Sequence, residues 1–148
     1  MSGRVKLFDI DIMKKMTEFQ RVAFLKALAV MAGTDGSFDA HEQDFIINIG
    51  TVFGLSTAEI NDALGNVTVQ AVLEGASQIK DRQIALEWLK ELCLLAHTDN
   101  ELSDQEVLFL GKIGEAMGIE LSKIEEISSW VIDYIIWRDR EKIIFEKI

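Results

Sequence analysis

The chain has 148 residues, of which 49% are hydrophobic and 27% charged, a globular composition long enough to bury a core within one domain. Its 25 acidic and 15 basic residues leave a net charge of −10, a surface that repels nucleic-acid phosphates and anionic lipid and argues against both as partners. A single Cys excludes an internal disulfide and suits a reducing compartment, and no apolar run approaches the roughly 18 to 20 residues that span a bilayer. The expected setting is therefore soluble and cytoplasmic, with no signal-type apolar run after Met1-Ser2-Gly3-Arg4. Pro is absent, which suits long helices joined by Gly and Asn turns.

Residues 1–16 carry Leu7, Phe8, Ile10, Ile12 and Met13, an apolar lead-in or short helix expected to pack back on the body. Thr17 is placed to cap a helix whose apolar positions Val22, Leu25, Leu28, Ala29 and Ala32 recur at helical spacing. That helix ends near Gly33 or Gly36. Asp39, with Glu42 three residues on, has the pattern of a capping box for the next helix. Its expected inner face is Phe45, Ile46, Ile49, Val52 and Phe53, and Gly54 stops it. Ser56 or Thr57 caps a short helix through Ile60 and Leu64. Thr68 can cap another, with Val69, Val72 and Leu73 inside and its end at Gly75. Residues 65–80 are the expected junction between two halves.

The second half repeats the order of the first. A helix from about Asp81 to His97 places Ile84, Leu89, Leu92, Cys93 and Ala96 inside. Ser103 and Glu106 form a second capping box; Phe109, Leu110, Ile113 and Met117 follow as an inner face, and Gly118 ends it. A gapless offset of 64 pairs Leu25 with Leu89, Asp35 with Asp99, Glu42 with Glu106, Phe45 with Phe109, Gly54 with Gly118 and Ile60 with Ile124. Turn residues and caps match along with apolar positions, so the pattern reads as an internal duplication of about 18–64 and 82–128. Two copies are too few for an open solenoid and are expected to close as a single all-α bundle, residues 1–148, with an approximate two-fold.

Residues 121–147 contain no breaker and read as one long helix. Ile124, Ile127, Val131, Tyr134 and Ile135 form one stripe; Trp130, Trp137 and Ile144, seven apart, form another. Such a helix needs cover on two sides. Residues 5–13 can supply it, and so can a protein partner or a second copy meeting Trp130, Trp137 and Ile144.

The two elbows, Thr34 to Glu42 and Thr98 to Glu106, carry the candidate chemistry. By one reading Gly36 ends a helix, while Asp39 and Glu42 cap the next for about 1 kcal/mol. By the other, Asp35 and Asp99 sit at helix C-termini, where the macrodipole disfavours a carboxylate unless something positive is near. Asp35, Asp39 and Glu42, and equivalently Asp99 and Glu106, would be oxygen ligands for a hard divalent cation such as calcium or magnesium. The loop matches the second half of an EF-hand, but Met31 and Gly33, or Leu95 and His97, stand where its first carboxylates belong, so an ordinary EF-hand site is not expected. Cys93 and His97 share a helical face, as a nucleophile–base pair or half a zinc site would; Cys93 also aligns with the inner position Ala29, where a buried Cys is an inert hydrophobe. His41 can be a ligand or an exposed residue at a helix start. No Gly-rich phosphate loop, H-E-x-x-H or C-x-x-C occurs, and no catalytic constellation assembles, so an enzyme is not expected.

The doubled pattern is Thr34-Asp35-Gly36, Asp39, Glu42 and Gly54-Leu55, then Thr98-Asp99, Ser103, Glu106 and Gly118-Ile119. It resembles the TerB-like family, the tellurite-resistance TerB fold shared with the N-terminal region of DjlA-type co-chaperones. The resemblance covers residues 18–127 and implies a compact all-α domain of about seven helices. It also implies an acidic site for a divalent cation and a role in stress or metal-ion response, without enzymatic chemistry. Two departures matter. Asn100 replaces the expected Gly and tolerates the same turn, while Ser103 replaces the carboxylate at the position of Asp39, which weakens the second elbow as a cation site. The alternative function is a structural or oligomerising helical domain whose elbow acids are caps.

Overall fold

A computed structural model describes residues 9–33, 40–65, 67–97 and 103–147. Among these residues the chain forms eight α-helices and no strand. They are α1 (Ile10–Met13), α2 (Glu18–Gly33), α3 (Ala40–Val52), α4 (Thr57–Leu64), α5 (Val69–Ala76), α6 (Arg82–Ala96), α7 (Asp104–Ala116) and α8 (Leu121–Ile144).

The starts follow from local chemistry. The Gln20 amide donates to Thr17 Oγ1 at 3.2 Å, and the Thr17 amide donates to Gln20 Oε1 at 2.9 Å. Ser56 with Glu59 and Ser103 with Glu106 form reciprocal capping boxes. Thr68 accepts from the Ala71 amide, and Asp81 accepts from those of Gln83 and Ile84. The starts of α6, α7 and α8, at 82, 104 and 121, each lie 64 residues beyond the starts of α2, α3 and α4, at 18, 40 and 57.

The turn that ends α3 recurs at the end of α7. Gly54 and Gly118 have φ of 76° and 75°, a left-handed conformation that only Gly adopts cheaply. The next amide folds back on the helix, Leu55 onto Gly50 O at 3.0 Å and Ile119 onto Gly114 O at 2.8 Å. This return brings Ile60 onto Gly50 and Ile124 onto Gly114, where any added side chain would overlap the isoleucine.

One buried cluster joins both halves. At its centre α2 packs on α6, and the Phe24 ring meets the offset-matched Trp88 at 5.4 Å. Phe53 adds an edge contact to Phe24 at 6.1 Å, and the Trp88 indole donates to Met16 Sδ at 3.2 Å. The cover is crosswise, with α5 lying on α2 while α1 lies on α6. Gly75 does not end α5, as the sequence suggested; it lies directly against Ala23 Cβ, where α5 and α2 make their closest approach.

Three expected inner positions differ. Val52 and Val69 are exposed, and Phe45 is 39% exposed whereas its mate Phe109 is 4% exposed. The reason Phe45 and Phe109 differ is α5, which lies across α7 as well as α2, while α3 packs on α2 and α4. The lead-in also differs from the expected cover of the last helix. Met13 and Met16 are buried where α1 meets α6, Leu7 and Phe8 lie outside the described residues, and Trp130, Trp137 and Ile144 are exposed. On α8 only Ile124 and Val131 are buried; Ile127 and Ile135 are half-buried against the core.

Gly75→Ala should lose about 2 kcal/mol in urea unfolding, because the new methyl falls on a side chain that cannot rotate away. Gly111→Ala in α7 meets nothing within 4 Å and should gain about 0.5–1 kcal/mol. Equal effects from the two would contradict the α5–α2 packing.

Candidate functional site

The elbow acids divide between described and undescribed residues. Asp35, Asp39 and Asp99 lie outside the described residues. Glu42 is half-buried in the first turn of α3, and Glu106 is buried in the first turn of α7. A carboxylate at either place is favoured by the positive end of the helix dipole. Glu106 Oε1 accepts from the Ser103 amide at 2.8 Å, and the Glu106 amide donates to Ser103 Oγ at 3.1 Å. One oxygen of Glu106 is thus committed to the cap. Nearby, His97 ends α6, half-buried, with its Nε2 3.3 Å from Ser128 Oγ on α8. Burial lowers the His97 pKa, and the Glu106 charge works against that. Among the described residues no three His, Cys, Asp or Glu side chains converge as a metal cage, so a cation at an elbow would depend on Asp35, Asp39 or Asp99.

Cys93 is fully buried, and desolvation pushes its thiol up to about 12. It is a neutral core side chain, and the His97 ring is turned to Ser128. His41 is exposed.

Two matching grooves were not foreseen from the sequence. The first, about 430 Å³ between α2 and α4, is lined by Glu18, Phe19, Val22, Ala58, Glu59 and Asp62. The second, about 410 Å³ between α6 and α8, is lined by Leu86, Glu87, Lys90, Lys123, Glu126, Ile127 and Trp130. Val22, Glu59 and Asp62 of the first are the offset mates of Leu86, Lys123 and Glu126 of the second. The first groove is acidic: the Glu18 carboxyl is raised by its hydrogen bond to Glu59, while the Ser56 amide holds Glu59 low. The second holds two ion pairs, Lys90 with Glu87 at 2.9 Å and Lys123 with Glu126 at 2.8 Å.

Beside the second groove, Glu91 is buried in α6 with Oε2 lacking a hydrogen-bond partner. Its offset mate is the core residue Ala27. Desolvation, opposed by Lys90 and assisted by Glu87, raises the Glu91 pKa to about 7. The sequence signal was available: a Glu on the inner arc of an otherwise apolar helix.

Among the described residues the chain is an all-α bundle in which α6, α7 and α8 repeat the order of α2, α3 and α4. Residues 8–64, the stretch from α1 to α4, match the family model described as tellurite resistance protein TerB. No curated protein and no solved structure matches the chain.

The Glu91 carboxyl binds its proton more tightly folded than unfolded, so its contribution is full below about pH 4.5 and is lost as pH rises through about 7. Stability should therefore fall by on the order of 3 kcal/mol between pH 5 and pH 8. Glu91→Gln should flatten that slope in urea titrations at each pH. A wild type equally stable at both pH values would contradict the buried carboxyl.

Proposed function

We propose that the chain is a non-enzymatic TerB-like module that takes a divalent cation at its first elbow and acts in stress, tellurite or metal-ion response. The observation that carries this reading is the family match over residues 8–64, which encloses Asp35, Asp39 and Glu42. These residues, with carbonyls at the end of α2, offer oxygen donors suited to calcium or magnesium. The second elbow is read as a cap, because Ser103 occupies the place of Asp39 and Glu106 closes the box. A second reading, a protein-interaction or oligomerisation module, is favoured by the exposure of Trp130, Trp137 and Ile144 on α8.

Millimolar calcium or magnesium should raise the melting temperature, since a ligand that binds only the native state stabilises it by mass action. Asp35→Asn should remove the increment. Glu42→Gln should keep the metal-free stability, since Gln also serves in a capping box, while weakening the response to metal. An unchanged melting temperature at millimolar metal would leave the elbow acids as caps.

A further inference from the structure

The outer side of α8, together with Ile127 at the edge of the core, has an internal order. Ile127, Trp130, Tyr134, Trp137, Glu141 and Ile144 follow at alternating spacings of three and four, the a/d seam of a coiled coil. Trp130, Trp137 and Ile144 are 43%, 62% and 59% exposed, and the Trp130 and Tyr134 rings stack at 6.2 Å. Glu126, Asp133 and Arg140 flank this seam on its solvent side, seven apart and all exposed, and Lys147 follows just beyond the helix end. Their charges are acidic in the first half of the helix and basic in the second. A parallel neighbour would bring like charges level with each other. An antiparallel neighbour brings Asp133 to the partner's Arg140 and Arg140 to the partner's Asp133, a pairing centred between residues 136 and 137. A seam register one residue earlier, centred between residues 135 and 136, places Trp137 beside the partner's Tyr134 and Ile127 beside the partner's Ile144.

We propose that two copies of the chain pair antiparallel through α8, so that the partner's Ile144 closes the groove between α6 and α8. That groove offers apolar Leu86, Ile127 and Trp130, with Glu126 at its edge. Glu141 is the polar position in the seam, bonded to Lys147 of its own chain at 3.1 Å. A lone polar seam residue fixes register at a cost in affinity. The seam side chains and their flanks offer on the order of 500–600 Å² per copy, or about 1,000–1,200 Å² in the pair, the lower end for specific interfaces. The expected dimer therefore dissociates in the micromolar range.

This pairing rests on the second reading above, that α8 is an open interaction surface, and is independent of the cation. Sedimentation equilibrium of the full chain in a chelator should give twice the 16.7 kDa chain mass at about 100 µM and dissociation on dilution. Trp137→Glu should be monomeric with unchanged helicity, since that side chain contacts solvent. Asp133→Arg alone or Arg140→Asp alone should raise the dissociation constant about tenfold or more, and the double exchange should restore it. A dimer that tolerates Trp137→Glu, or single reversals that the double exchange does not rescue, overturns the antiparallel seam. A monomer at about 100 µM also overturns it, and iodide quenching then separates the two ideas. Quenchable Trp130 and Trp137 in that monomer would sink self-pairing alone, whereas shielded indoles would sink the open surface as well.

Discussion

The contact on which the rest depends is that of Phe24 with Trp88. It lies where α2 meets α6, the two helices that bury the most side chains. Both rings are fully buried, and their burial supplies the largest apolar contribution any single pair makes here. Fixing α2 against α6 sets the place of every other element. α3 and α4 return onto α2 through Gly54, and α7 and α8 return onto α6 through Gly118. The elbows, the two grooves and the exposed side of α8 are all positioned relative to that central pair.

Much of this fold is legible in the sequence because the signals are local. Thr17, Ser56, Thr68, Asp81 and Ser103 each begin a helix by an interaction spanning two or three residues, which spacing alone reveals. Gly54 and Gly118 end helices for an equally local reason. What escaped notice depends on distant elements. Gly75 reads as a helix stop until Ala23 is seen against it, and Phe45 reads as an inner residue until the position of α5 is known. The destination of α1 could not be read from an apolar lead-in that suits any open face. The candidate site was legible in its residue types, and Glu106 takes the capping role its spacing implied. Glu91 stands out only as a disagreement with its offset mate Ala27, and its burial depends on the helices packed around α6.

The two halves share a backbone plan but have diverged in charge. Glu18 and Glu59 stand where Arg82 and Lys123 stand in the other half, so one groove accumulates carboxylates and the other internal ion pairs. α4 ends after eight residues, whereas its counterpart α8 continues for 24 and leaves the core behind beyond Ile135. Divergence is thus concentrated on the groove between the second and fourth helices of each half, while the turns and the central contact are retained. The two grooves can differ in charge independently because neither set of surface charges touches the Phe24–Trp88 contact.

The crosswise cover also bears on the order in which the chain can mature on the ribosome. α1 is made first, yet the helix it lies on, α6, emerges only after α5. α2 in turn waits for α5 before its Ala23 face is closed. Each half is therefore an incomplete folding unit, and the apolar side of α2 must stay uncovered while the intervening helices are synthesised. Pairings between elements so far apart in sequence form slowly and leave sticky surface in the meantime. A nascent chain halted after α4 would present that surface to chaperones, and the core can close only once α6 brings Trp88 to Phe24.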